Sequence, residues 1–590
     1  MLYLSMIIFL ILLVSFFLPR SSLAVEDFTA TQTIIYNISQ DGQASVKKTI
    51  TLTNNYSEIY PQKYQITLFD TNIQNITATD AAGNIIDSLD RQTESTIINL
   101  KLNQPAVGKG QTNQFNLTYN LSSLAQRKGK IWEIPLPYQK NSDFAQNTIT
   151  VSVPQNFGRL SFSSLPPSQQ RNLDQIHTLV FNQNQNSNQK ILLTFGDYQS
   201  FDFSLDYFLN NSSNESLQDQ IPIPPDTDSQ TIIYKQISPP PTNIIVDTDG
   251  NWLAQYQIPP QQELKITVAG QVRISPPKPT FTKPNINQDQ LTSSQKYWPV
   301  SNPQIQQIAK KLTGPKQIYN HVVNTLNYNY NQINFGQRQG ALFALQNPNL
   351  SLCTEFTDLF VTLARAKGIP AREVEGFVYT NNPKIRPTST TTDILHAWPQ
   401  YYHSQKQIWI SIDPTWAKTT SGIDYFNELD LNHFAFVFHG QDSLYPPSPG
   451  SYKNNKTIKT VNVNFSQTEL DYQLKSPQIT LDNNHLIVKN LGLQALHQLA
   501  ISLPSQNWQH LIEVLPPLSS VTIPPPLPRS FLSFLPKNKN YQFEIAAQNQ
   551  TLASVSLNNP QHLPQLIISL GLLITIFLIG GIIAKKHQNT

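Results

Sequence analysis

From about residue 25 to 275 the chain alternates apolar and polar side chains in short runs. Phe115, Leu117, Tyr119 and Leu121 interleave with Asn116, Thr118 and Asn120, and Ile149, Val151 and Val153 interleave with Thr150 and Ser152. Successive side chains on a strand point to opposite faces, so a period of two with frequent Asn, Gly and Pro breaks marks half-buried antiparallel strands. The pattern predicts β-sandwich-like domains over 25–140 and 141–275. It returns after 456, in Leu486 and Val488, in Leu499, Ile501 and Leu503, and in Phe543 and Ile545. That return predicts a small C-terminal β domain over 457–558.

Between these regions the period changes. Residues 303–312 and 315–326 each open with proline at a first helical position, and Ile318, Val322 and Leu326 recur every four residues. Two helices are expected there. Proline-rich linkers, 276–300 and 443–456, bracket this block and set 301–442 apart as a mixed α+β domain.

Both ends carry apolar runs. Residues 2–18 are almost wholly apolar, and Ser22-Leu23-Ala24 supplies a small-x-small cleavage pattern, so 1–24 is read as a secretory signal peptide. Residues 566–584 run without a charge, and at ~1.5 Å per residue this length suits a hydrocarbon core of ~30 Å. Lys585 and Lys586 follow at once, and basic flanks stay cytoplasmic. A single-pass type I membrane protein is therefore expected, with a transmembrane helix at 566–584, a cytoplasmic tail at 585–590 and the bulk of the chain extracellular.

At 590 residues the chain is longer than one core usually organises, in keeping with several domains. A formal charge of +3 and the lack of any Lys/Arg-rich run exclude nucleic acid as an expected partner. The single cysteine rules out an intrachain disulfide, so an extracellular Cys353 needs another reason to be there, or is a small buried apolar residue.

Its neighbours supply a reason. Cys353 stands just before a stretch in which Phe356, Leu359, Phe360, Leu363 and Ala364 recur at three and four, ended by Gly368 and Pro370. A thiol at a helix N-terminus meets unpaired N–H groups and the positive end of the macrodipole, which favour a thiolate and can hold an oxyanion. Downstream, LHAWPQYYHSQKQIWISIDPTW reads as a β-hairpin. With its turn centred on Ser404-Gln405, His396 falls directly opposite Asp413, at the ~4.5–5.5 Å Cβ separation of a cross-strand pair. A carboxylate there can hold an imidazole by one ring nitrogen. Pro399 removes one ladder donor from that strand and is expected at an edge or bulge.

CTEFTDLFVTLARAKGIPAR at Cys353, HAW at 396–398 and DPTW at 413–416, in this order and spacing, resemble the transglutaminase-like (papain-like thiol) superfamily of bacterial and archaeal proteins. The resemblance covers about a quarter of the chain. It implies Cys353 as nucleophile, His396 as general base then acid, and Asp413 as the residue orienting the histidine. Acyl transfer from peptide or protein amides follows, to water in a protease or amidase and to an amine in a cross-linker.

No cofactor or metal is expected. His403, His433 and His439 lack ligand-type spacing and read as structural histidines. Trp398, Trp409 and Trp416 read as core or pocket wall. Tyr328 and Tyr330 read first as core packing and second as oxyanion donors. The rival from another class is a non-catalytic surface scaffold that keeps the fold while its β domains bind a partner.

Overall fold

The computed structural model describes residues 27–559 except 70–72, 139–143, 185–188, 278–285, 333–336, 389–392, 394, 456, 483–484, 525–538 and 549. The expected signal peptide (1–24), transmembrane helix (566–584) and tail (585–590) lie outside the described residues. Among those described, no helix is long and apolar enough to cross a membrane. The protein is multidomain and mostly β, with a mixed core carrying Cys353.

Two compact units form. One comprises the chain up to Arg127 with Trp132–Gly158 and Leu165–Leu193; the other comprises Lys128–Ile131, Arg159–Ser164 and the chain from Thr194 onward. In the first, an eight-stranded sheet runs in the order 169–173, 176–184, 146–154, 28–38, 44–54, 112–121, 73–80, 83–84. Its alternation is the one written in the sequence: Phe115, Leu117, Tyr119 and Leu121 are buried, and the residues between them are not. The strand Gln146–Pro154 pairs in parallel with Phe28–Ile38.

The second unit begins with two sheets facing each other. One has the order 230–238, 262–274, 199–211, 461–465, and the other 217–223, 252–258, 243–246. Its last segment, 478–559, folds as a three-stranded and a four-stranded sheet around Leu486, Val488, Leu499, Ile501, Phe543 and Ile545.

Between them lies the mixed core. Helices α1 (Pro303–Lys311) and α2 (Pro315–Thr325) both start on proline, as the sequence predicts, and α3 is Ala341–Gln346. Helix α4 (Cys353–Ala366) is buried along nearly its whole length. It packs on a four-stranded antiparallel sheet made of β1 (Ala371–Val378), β2 (His396–His403), β3 (Ile408–Ser411) and β4 (His433–His439), in the order β3-β2-β1-β4. Helix α5 (Pro414–Thr419) follows β3.

Burying α4 also buries charged residues, and these are answered. Asp358 accepts from Trp298 Nε1 at 2.7 Å and pairs with the Arg338 guanidinium. Arg365 stacks on Trp298 and donates to the carbonyls of Ala371, Ser293 and Gly440. Buried charge persists only where it is paired and hydrogen-bonded.

Among the described residues, the outer side of β4 pairs with no strand. Gln230 instead donates to the Ala435 carbonyl and accepts the Ala435 N–H, both at 3.0 Å. Asn251 does the same for Phe438, at 2.8 and 2.7 Å. Two side-chain amides thus complete a ladder that a neighbouring strand would otherwise complete. The apolar side is equally continuous, since Phe377, Phe434 and Phe436 share one core with Phe201, Phe203, Tyr207 and Val268.

The hairpin corrects the expected register. Gln400 pairs with Ser411 and His403 with Ile408, so the connection is the four residues 404–407, and the partners are shifted by two from a turn centred on Ser404-Gln405. Strand β3 ends at Ser411, so Asp413 is no cross-strand partner of His396; it caps α5. A shift of two keeps side chains on the same face, which is why the two still meet. Pro399 lies in a strand with a neighbour on each side, yet its carbonyl accepts from Ile412 just beyond the last paired residue of β3. Its nitrogen points the same way, to a place where the ladder has ended.

Candidate active site

Cys353 is the first residue of α4 and is 1% exposed. The helix start is fixed by Glu355, whose carboxylate accepts the Leu352 N–H at 3.0 Å and the Gln339 N–H at 2.9 Å. Leu352 cannot cap with its side chain, so Glu355 supplies the polar partner from inside the first turn.

His396 Nε2 lies 3.1 Å from Asp413 Oδ2, and both side chains are wholly buried. Asp413 Oδ1 accepts the Trp416 N–H at 3.0 Å, so one carboxylate both caps α5 and holds the imidazole. Burial alone would lower the His396 pKa; the Asp413 carboxylate outweighs it, the Cys353 side chain adds to the rise, and the group is raised to about 9. Burial would raise Asp413, but His396, with His433 after it, holds its carboxyl far below the usual range. His396 Nδ1, the nitrogen not used by Asp413, has no hydrogen-bond partner among the described residues.

The structure brings in a residue that sequence reasoning left aside. His433, at the start of β4, places Nε2 3.5 Å from Asp413 Oδ2 and Nδ1 2.9 Å from Asp430 Oδ1. Burial would lower its pKa, and Asp430, with Asp413, raises it to about 9. The local signal was Asp430-Leu-Asn-His433, an acid and a histidine three apart; the contact with Asp413 is long-range and leaves no mark in the sequence.

Trp398 and Trp416 are buried against both histidine rings, with centroids 5.0–6.2 Å apart. Trp409 is half-buried at the far end of the sheet, beneath Arg372. The Tyr328 hydroxyl is buried without a hydrogen-bond partner among the described residues, and its backbone bridges to Ser351, two residues before the cysteine. Burial, and the Cys353 side chain after it, push the Tyr328 phenol far up. Tyr330 turns elsewhere and donates to the Lys384 carbonyl at 2.6 Å. His403 accepts from the Lys406 N–H in the hairpin turn, and His439 binds Glu373 at 2.9 Å.

A cavity of about 550 Å³ lies at the other end of the sheet, lined by Asp249, Arg372, Trp409, Phe438 and Glu513 among others; Cys353, His396 and Asp413 do not line it. Among the described residues, two sets of side chains have ligand atoms close enough for one metal ion: His396, Asp413 and His433, and Glu373, Glu375 and His439.

Residues 300–414 match the model of the transglutaminase-like superfamily, so the mixed core is a transglutaminase-like domain. No curated protein matches the chain. Among solved structures it is similar to a "Putative Cysteine Protease" from Cytophaga hutchinsonii, at 15% identity over 46% of this chain and 87% of that one, with a TM-score of 0.30. It is also similar to an M1 zinc metallopeptidase from Deinococcus radiodurans, at 14% identity over 30% of this chain and 42% of that one, with a TM-score of 0.20.

Proposed function

We propose that this protein is a thiol enzyme of the cell surface that transfers acyl groups from peptide or protein amides. Cys353 is the nucleophile, His396 the general base and then acid, and Asp413 the group that orients the histidine. The observation that carries this reading is the buried 3.1 Å contact between His396 Nε2 and Asp413 Oδ2, which commits one ring nitrogen to the carboxylate and leaves Nδ1 free to take a proton. Cys353, at the N-terminus of α4, is the neighbouring proton source.

His396 takes the thiol proton as Sγ bonds to the amide carbonyl carbon, and the Tyr328 hydroxyl, free of other partners, donates to the oxyanion. The C–N bond breaks, and the same proton passes from His396 to the departing amine or ammonia. Water then cleaves the thioester to an acid, or an amine takes the acyl group as a new amide. The apolar segment 566–584 anchors the chain, and the signal at 1–24 directs the domains outward.

The test is the rate of Cys353 alkylation by iodoacetamide in the full chain, measured against pH beside His396→Ala. A fast reaction at neutral pH that slows steeply in the variant supports the Cys-His pair and justifies screening peptide and glutamine substrates. Equal, slow rates in both proteins would overturn the reading and leave a surface scaffold.

A further inference from the structure

The geometry points to a reversible inhibitory site for a zinc-type divalent cation between His396, Asp413 and His433. The inference deepens the proposed function, on which its regulatory meaning rests.

Four observations meet here. Asp413 Oδ2 is 3.1 Å from His396 Nε2 and 3.5 Å from His433 Nε2. Around a tetrahedral zinc with bonds of ~2.0–2.1 Å, neighbouring ligand atoms stand about 3.3–3.4 Å apart, so both spacings fit with small adjustments. His433 Nε2 is buried, its 3.5 Å ion pair with that carboxylate is too loose to count as a hydrogen bond, and it makes no hydrogen bond to any other described residue. Its other nitrogen is held by Asp430 at 2.9 Å, the carboxylate behind a histidine that metal ligands usually have. Two imidazoles and one carboxylate suit a borderline cation such as Zn²⁺ better than Ca²⁺ or Mg²⁺. The second candidate set differs: Arg338 already stands 2.8 Å from Glu373 and fills the cation's electrostatic role.

The consequence for catalysis is a matter of tautomer. Without metal, the neutral His396 ring keeps its proton on Nε2, facing Asp413, and Nδ1 can accept one from Cys353. With the cation on Nε2, a neutral ring carries its one proton on Nδ1 and has no lone pair left for the thiol. The cation also takes the Asp413 oxygen that oriented the ring. Binding and general-base action are therefore mutually exclusive, although Cys353 is not itself a ligand.

The experiment titrates Co²⁺ alone into the full chain and follows its visible d–d absorption, with Zn²⁺ as competitor. Wild type and Cys353→Ala are expected to bind one Co²⁺ per chain, displaced by Zn²⁺. His433→Gln is expected to lose the bands. Asp430→Asn keeps all three ligands and should weaken binding by roughly 10–100-fold, which guards against a His433 variant that does not fold. No absorption in wild type, or loss of binding in Cys353→Ala, would overturn the proposal, the latter by showing a thiolate site. A chain that binds Co²⁺ while Cys353 is inert to iodoacetamide keeps the metal site and loses the acyl-transfer reading; a reactive cysteine with no metal uptake does the reverse.

Discussion

Asp413 serves two masters, and substitutions separate them. Asp413→Asn keeps an oxygen for the Trp416 N–H but can turn an amide toward two imidazoles. It should slow Cys353 alkylation while leaving the denaturation midpoint little changed. Asp413→Ala also removes the cap of α5 and should lose about 1 kcal/mol more in stability, read by urea denaturation of both variants. Tyr328→Phe removes a buried hydroxyl with no partner, so stability should hold or rise slightly, whereas turnover of a screened substrate should fall by about 10²–10³-fold if the hydroxyl serves the oxyanion. At this scale the sequence was readable where chemistry is local: Cys353 with its helix, HAW and DPTW. His433 was not, because its claim on the site is a contact with Asp413, which a tertiary fold creates and spacing cannot show.

Helices and strands hold these groups in place, and two positions test that support. Glu355 answers two backbone N–H groups at the start of α4; Glu355→Ala would leave them unpaired at about 1–3 kcal/mol each and let the cysteine's turn loosen. Lower stability together with slower alkylation is the expected result. Gly376 pairs with His396 across β1 and β2, and a Cβ there would stand 2.0 Å from the Phe434 carbonyl oxygen. Gly376→Ala must push β4 away from β1, at about 1–3 kcal/mol, and should broaden the NMR signals of the His396 and His433 rings. Proline at the first turn made α1 and α2 legible, and apolar spacing made α4 so. The hairpin was legible as a pair of strands but not in register, because nothing local distinguishes a tight turn from the four-residue loop 404–407. Nor does alternation name a partner: residues 461–465 fall within the span expected for the C-terminal β domain, yet Val461–Phe465 pairs with Phe201–Leu205, more than two hundred residues earlier.

Across the whole molecule, buried charge ties stability to pH. Burial would lower the pKa of His439, but Glu373 raises it from 6.5 to about 9. Its contribution is therefore fully present below about pH 6.5 and is lost as pH rises through about 9. Denaturation midpoints should fall across that window in the wild type and fall less in His439→Gln. The amides of Gln230 and Asn251 bear on a different hazard. Cut free of residues 194–275, the transglutaminase-like domain would keep its fold pattern but present β4 as a bare edge, with the N–H and C=O of Ala435 and Phe438 open beside Phe434 and Phe436. Such an edge recruits strands from other copies, so the excised domain should aggregate where the full chain stays dispersed, and Gln230→Ala with Asn251→Ala should carry part of that tendency into the intact protein.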